Sequence, residues 1–224
     1  FTNNVKSGNL QEVLALIGEI DEDRLLKTDL LGDAIESALS ETGGTKDMGL
    51  HRTPDHIRQF MVALTDPTFD DSIFDPACGT AGFGFDSYGY VTEAVRRSGK
   101  WPGPKAHPDL IAYFQKRFAA RPAAMPSPTK SRDFYRSGIH GIEYLGMIRK
   151  MAAINFYIRG LNPQNIEQGD SLALFDPAKD GGSKTVVQAN PPFGADRDQE
   201  AYPNVWAEFS RESETTILFV KLML

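Results

Sequence analysis

The chain is 224 residues long, 41% hydrophobic and 24% charged, with a formal net charge of −6, a composition that fits one main globular domain with a sizeable core. No apolar run approaches the length needed to cross a bilayer; the single cysteine, Cys78, excludes an internal disulfide, and His51, His56, His107 and His140 show no metal-ligand spacing with it, so a reducing cytoplasm and no metal are expected. The acidic balance requires any polyanion to be held by a local basic surface or by a partner chain, which excludes a self-sufficient DNA-coating protein.

The chain opens at Phe1 without a basic, then apolar, then small-residue leader, so no secretion signal is expected, and the missing initiator Met points to a fragment. Asn9 with Glu12 resembles a capping box, and Leu10, Val13, Leu14 and Ile17 follow at helical spacing, predicting an amphipathic helix over 9–19. A second is predicted from Asp29 to Leu39, with Leu30, Leu31, Ile35, Ala38 and Leu39 on one face and Gly43 and Gly44 ending it. Together they predict a small N-terminal helical segment, residues 1–46, ahead of the main domain over 47–224.

Thr53 as N-cap and Pro54 in the first turn predict a third helix, with Ile57, Phe60, Met61 and Leu64 as its apolar face and Asp66 and Pro67 as its stop. Ser72 to Asp75 reads as a short buried strand running into P-A-C-G-T-A-G-F, where Gly79 and Gly82 let backbone come close to a ligand. Residues 84–135 read as an insertion with a helical pattern near Asp109 to Ala120. Ile139 to Glu143 predicts a second strand ending in an acid. Leu145, Ile148, Met151, Ala152, Asn155 and Phe156 then predict a helix closed by Gly160.

Asn165 to Gln168 is a weak third strand, followed by Gly169, Asp170, Ser171 and Leu172, and Lys184 to Ala189 is the fourth. After Gly194 comes a polar loop to Ser213, then a helix-like Thr215 to Leu224. Strands separated by helical patterns predict an α/β fold with a doubly wound, mainly parallel sheet.

The fourth strand ends in the most distinctive corner of the chain, A-N-P-P-F-G. Pro191 forces Asn190 out of the helical region, and two consecutive prolines remove two N–H donors, leaving carbonyls without a sheet partner. An amide oxygen, a free carbonyl and the Phe193 ring suit a flat heterocycle that bears an amino group. In a doubly wound sheet, ligands bind beyond the carboxyl ends of the strands, and Asp75, Glu143, Asp170 and Asn190 each stand at or just after the end of a different predicted strand. Taken singly each is an ordinary turn residue or cap; four at one rim point to a site.

In this order F-D-P-A-C-G-T-A-G-F, G-I-E, G-D-S-L and N-P-P-F resemble the adenine-N6 DNA methyltransferases, most closely the modification subunit of type I restriction-modification systems. T-P-x-H-I-R-Q-F-M ahead of the glycine loop resembles the segment that precedes the cofactor loop in that group. The matches run from Asp29 to Leu224, apart from 84–135.

The resemblance implies a Rossmann-like S-adenosylmethionine-dependent methyltransferase fold, C-terminally incomplete here because full modification subunits continue beyond N-P-P-F. It implies that Asp75, Pro76, Ala77, Cys78, Gly79, Thr80 and Gly82 cradle the methionine part of S-adenosylmethionine, with Thr53 and Pro54 nearby. Glu143 is implied to accept the two ribose hydroxyls and Asp170 the amino group of the cofactor's adenine. Asn190, Pro191 and Phe193 are implied to hold a target adenine swung out of duplex DNA, with Pro192 keeping the corner rigid. A specificity subunit and a restriction subunit are the implied partners. The chain departs from the family at Arg52, where an aromatic usually precedes the Thr-Pro pair. Two other readings stay open: a protein glutamine-amide methyltransferase of the same fold, and a non-catalytic cofactor-binding scaffold subunit.

Overall fold

In the computed structural model, residues 53–98, 101–102, 106–120, 125–193, 202, 204 and 214–224 are described. The helices expected over 9–19 and Asp29–Leu39, the 46/47 boundary and Arg52 lie outside them.

Four short segments, each carrying Ile or Val into the core at its first residue, form β1 (Ile73–Asp75), β2 (Ile139–Glu143), β3 (Ile166–Gln168) and β4 (Val186–Val187). All pair in parallel, in the order β3-β2-β1-β4, with Ile73 opposite Ile139 and Val186, and Gly141 opposite Ile166. The chain steps outward from β1 to β3 and then returns to the far side of β1 for β4. Strand order therefore reverses between β1 and β4, where a doubly wound sheet opens a crevice at the carboxyl ends of its strands.

The described helices are α1 (Asp55–Thr65), α2 (Gly82–Arg96), α3 (Pro108–Ala119), α4 (Pro128–Ser137), α5 (Gly146–Ile158), the single turns α6 (Ser171–Leu174) and α7 (Pro177–Asp180), and α8 (Thr215–Met223). Ile73, Ile139, Ile166 and Val186 share one face of the sheet and pack with Val91 of α2 and Ala152 and Phe156 of α5. The alternate residues Phe74, His140, Ile142 and Val187 face the other way, onto a cavity of about 660 Å³ bordered by α6, α7 and the end of α8.

Two expectations change on this frame. The first concerns residues 84–96, which continue α2, the helix that carries the chain away from the glycine loop, with Phe85, Ser87, Tyr90 and Val91 buried along it. Closely spaced aromatics and glycines in G-F-G-F-D-S-Y-G-Y hide the helical period there. Beyond it, α3 occupies the predicted Asp109–Ala120 pattern and docks through Phe114 and Phe118 against Tyr90 and Trp101, while Ser127 caps α4 by accepting from Lys130 N at 3.2 Å.

The second change is in α1, whose cap is Pro54 with extended backbone, so that Thr53 stands one residue outside and makes no side-chain cap. Of the expected apolar face only Met61 is partly buried, while Ile57, Phe60 and Leu64 point outward, exposed by 42, 52 and 67%; Arg58, Gln59, Val62 and Ala63 are buried instead. The cause is ionic. Arg58 pairs through Nε with Asp86 of α2, both side chains being buried, and turning the helix to bury Phe60 would strand a carboxylate in the interior at a cost of roughly 3–5 kcal/mol. Asp66 ends α1 in the left-handed conformation at φ 53°.

Candidate active site

The glycine loop leaves β1 at Asp75 and is tied down residue by residue. Asp75 Oδ1 accepts from Ala77 N at 3.0 Å. Cys78 N donates to Ile142 O at 2.9 Å, and Gly79 N donates to Glu143 Oε2 at 3.0 Å. The other carboxylate oxygen of Glu143 accepts from Leu145 N at 2.7 Å. The acid at the end of β2 thus clamps the loop that follows β1.

Gly79 sits at φ +54°, where a side chain is strained, and a Cβ built on it would meet nothing within 4 Å: the backbone faces open space, as a ligand cradle requires. Ala81 takes φ 69° without being a glycine, a conformation costing roughly 1–2 kcal/mol. Its neighbour holds it there, since Asn155 of α5, itself buried, donates from Nδ2 to Thr80 O at 2.8 Å.

Burial is the main cause that pushes the Asp75 carboxyl up to about 7, the nearby Glu143 charge adding to it and the Ala77 N–H opposing. Burial also raises Glu143, against the Leu145 and Gly79 N–H donors. Two desolvated carboxyls near each other favour a cationic neighbour.

At the end of β3, Asp170 caps α6 by accepting from Leu172 N at 3.1 Å, and its Oδ2 accepts from Tyr202 Oη at 2.8 Å. Ser171 donates to Pro76 O, which fastens this turn to the glycine loop. β4 leaves the sheet beside β1, where Gln188 N donates to Phe74 O at 3.0 Å, and Asn190 follows two residues later. Asn190 and Pro191 are half-buried, whereas the Phe193 ring is 62% exposed. Thr53 reaches the site through α1: its carbonyl accepts from Arg58 Nη1 at 3.1 Å, and Arg58 in turn holds α2.

All of Asp75, Gly79, Glu143, Asp170 and Asn190 therefore lie at the carboxyl edge of one parallel sheet, and bonds link the turns after β1, β2 and β3 directly. Sequence reasoning missed the supports: Asn155, Ser171, Tyr202, the Arg58–Asp86 pair and Gln188. The visible signal was a polar residue set inside an apolar period, as with Gln188 in V-V-Q-A and Asn155 in A-I-N-F.

A model of the N-6 DNA methylase family matches residues 26–224. The chain belongs to that family. The methylase subunit of type I restriction enzyme EcoEI from Escherichia coli is 25% identical over 228 residues, a match covering 99% of this chain and 39% of that protein. Among solved structures, a protein described as a modification subunit of a type I restriction enzyme from Vibrio vulnificus superposes with a TM-score of 0.65 at 24% identity, over 96% of this chain and 38% of its own. A structure of the type I restriction-modification system, addressing complex assembly and conformational transition, gives 0.63 at 20% identity, over 96% and 38%. These likenesses bear out the α/β fold with its parallel sheet, and the family matches the resemblance carried by the glycine loop and N-P-P-F. The chain spans about two-fifths of the length of these relatives.

Proposed function

We propose that this chain is the cofactor- and base-binding part of an adenine-N6 DNA methyltransferase, the modification subunit of a type I restriction-modification system. The observation that carries the reading is the bond from Gly79 N to Glu143 Oε2 at 3.0 Å, which joins the glycine loop to an acid at the same sheet edge from which β4 hands out N-P-P-F. Family membership, the open cradle at Gly79 and the buried Asp75 carboxyl beside the half-buried Glu143 support S-adenosylmethionine as the cofactor.

The residues fit that group. Pro76 to Gly82 would line its methionine end with Thr53 and Pro54, Glu143 would accept its ribose hydroxyls, and Asp170 its adenine amino group. When bound, it supplies an electrophilic methyl group on a cationic sulfur. Asn190 and Pro191 act on the acceptor. The amino nitrogen of adenine is a poor nucleophile because its lone pair is delocalised into the ring, and hydrogen bonds to the Asn190 side-chain oxygen and the Pro191 carbonyl draw it toward tetrahedral geometry and free that pair. Pro192 holds the corner stiff, and Phe193, exposed as it is, offers a face for the extruded base and offsets part of the stacking it loses. Catalysis then rests on holding nitrogen and methyl carbon in line at about 3–3.5 Å.

With a net charge of −6, DNA recognition falls to a specificity subunit, and a restriction subunit completes the assembly; the cytoplasm is its place. Among the described residues, no helix is long and apolar enough to cross a membrane. The test is Asn190→Ala in the intact, assembled protein. Methyl transfer to unmethylated and hemimethylated duplexes should be abolished while most cofactor affinity is kept, and Glu143→Ala should chiefly weaken cofactor binding. Equal transfer by Asn190→Ala and the parent would remove the assignment.

A further inference from the structure

One amide stands on the helix-covered face of the sheet where apolar side chains otherwise meet. Gln188 follows β4 on the same side as Val186, which packs with Ile73 and Ile139, and it is only 2% exposed. An aliphatic side chain would fill this place without the desolvation cost that a buried amide incurs. The amide is nevertheless satisfied at both ends. Ser87 Oγ of α2 donates to Gln188 Oε1 at 2.8 Å, and Gln188 Nε2 donates to Thr65 Oγ1 of α1 at 2.6 Å.

Thr65 fixes the sense of the amide. Its hydroxyl proton goes to Val62 O at 3.0 Å, so toward Gln188 it can only accept. With its own N–H bonded to Phe74 O at 3.0 Å, Gln188 is fastened to β1, to the end of α1 and to the second turn of α2. Apolar contacts at such a point would let the strand exit slide, whereas a fully satisfied buried amide admits one register.

Two residues past Gln188 the N-P-P-F corner begins. Asn190 precedes Pro191, which keeps it out of the helical region. Ala189, between Gln188 and Asn190, is buried, and Pro191 stiffens the backbone beyond. At its other end the same fastening holds α2, whose first residue, Gly82, closes the glycine loop. Ser87 lies five positions into that helix, about 7.5 Å along its axis. The bridge therefore spans the two groups that methyl transfer must align: the loop for the donor and the corner for the acceptor.

We propose that Gln188 is a positioning residue that sets the reach of the Asn190 corner relative to the cofactor loop. The inference rests on the reading of Asn190 as the acceptor of the target amino group. A misplacement of about 1 Å between reacting groups costs on the order of 100-fold in rate, so a slack bridge should show in turnover before it shows in binding.

The test removes the bridge from either side in the intact, assembled protein: Gln188→Leu, Thr65→Val with Ser87→Ala, and all three together. For each, kcat, S-adenosylmethionine Kd and Tm are measured on the same preparation. Gln188→Leu should lower kcat about 10- to 100-fold with cofactor Kd unchanged within about threefold. The double variant should lower kcat by the same factor and also lower Tm, because it leaves the amide without partners. The triple variant should recover Tm but not kcat, a divergence that a purely structural role would not produce. Should Gln188→Leu fail to fold, the double and triple variants decide alone. Parental kcat in any folded variant lacking the bridge, or a fall in kcat matched by a rise in Kd, overturns the inference while leaving the methyltransferase reading standing. A parent that transfers no methyl group to adenine removes that reading, and this inference with it.

Discussion

Asp75→Asn should make the protein more stable at neutral pH and worse at binding its cofactor. Asp75 is buried at the end of β1, and its carboxyl rises from 3.8 to about 7 on folding, through burial first and the neighbouring Glu143 charge second. A proton held more tightly in the folded chain than in the unfolded one stabilises the fold fully below the unfolded value. That contribution is lost as pH climbs through the folded value, so the decline falls between pH 3.8 and about 7. A gap of about three units at about 1.4 kcal/mol each amounts to about 4 kcal/mol. Asparagine keeps the oxygen that accepts from Ala77 N and carries no charge at any pH. Urea unfolding of parent and variant at pH 4.5, 6 and 7.5 should show the parent losing stability with a slope steeper by up to about 1.4 kcal/mol per pH unit, leaving the variant ahead by a few kcal/mol at pH 7.5. Parallel pH curves would refute the argument. The same substitution strips a negative charge from a pocket meant for a cation, so cofactor titration at pH 7.5 should show weaker binding by the more stable protein.

Gly141→Ala tests the seam between glycine loop and β2, because its Cβ would come within 2.8 Å of Cys78 Cβ and 2.9 Å of Cys78 Sγ. Thermal melts should show a loss of about 1–3 kcal/mol, and calorimetric titration should show clearly weaker cofactor binding; unchanged affinity would mean that the loop tolerates displacement. Asp170→Ala deletes the cap of α6 and the acceptor for Tyr202. It should cost about 1 kcal/mol in stability and erase the preference for a cofactor carrying adenine over one carrying hypoxanthine, and a retained preference would take Asp170 out of the adenine pocket.

The parts of this fold that could be read from the chain are those where local chemistry changes abruptly. I-F-D-P and G-I-E each close a β-branched or aromatic run with an acid, V-V-Q-A-N-P-P closes one with a glutamine ahead of the prolines, and the strand ends fall there. Parallel pairing then sends those ends to one edge, so the gathering of Asp75, Glu143, Asp170 and Asn190 followed from topology. What stayed hidden depends on contacts between distant positions: Gln188 to Ser87 over 101 residues and to Thr65 over 123, or Asn155 to Thr80 over 75. Periodicity misled outright in α1. It marks where apolar residues recur, and there a buried arginine, satisfied by a carboxylate on another helix, outweighed the stripe of Ile57, Phe60 and Leu64.

Helix α2 is gripped in its first half and at its middle by unlike chemistry. Near its start, the guanidinium groups of Arg58 and Arg159 lie over the Phe85 ring at 4.9 and 4.4 Å; at its midpoint, Tyr90 meets the edge of Trp101 at 4.9 Å and Phe118 at 5.1 Å. A rod braced in this way moves as one piece, so a push at the glycine loop reaches the indole packed against its middle. Trp101, one of two tryptophans in the chain, is thereby a built-in optical gauge whose emission should register cofactor arrival without any attached dye.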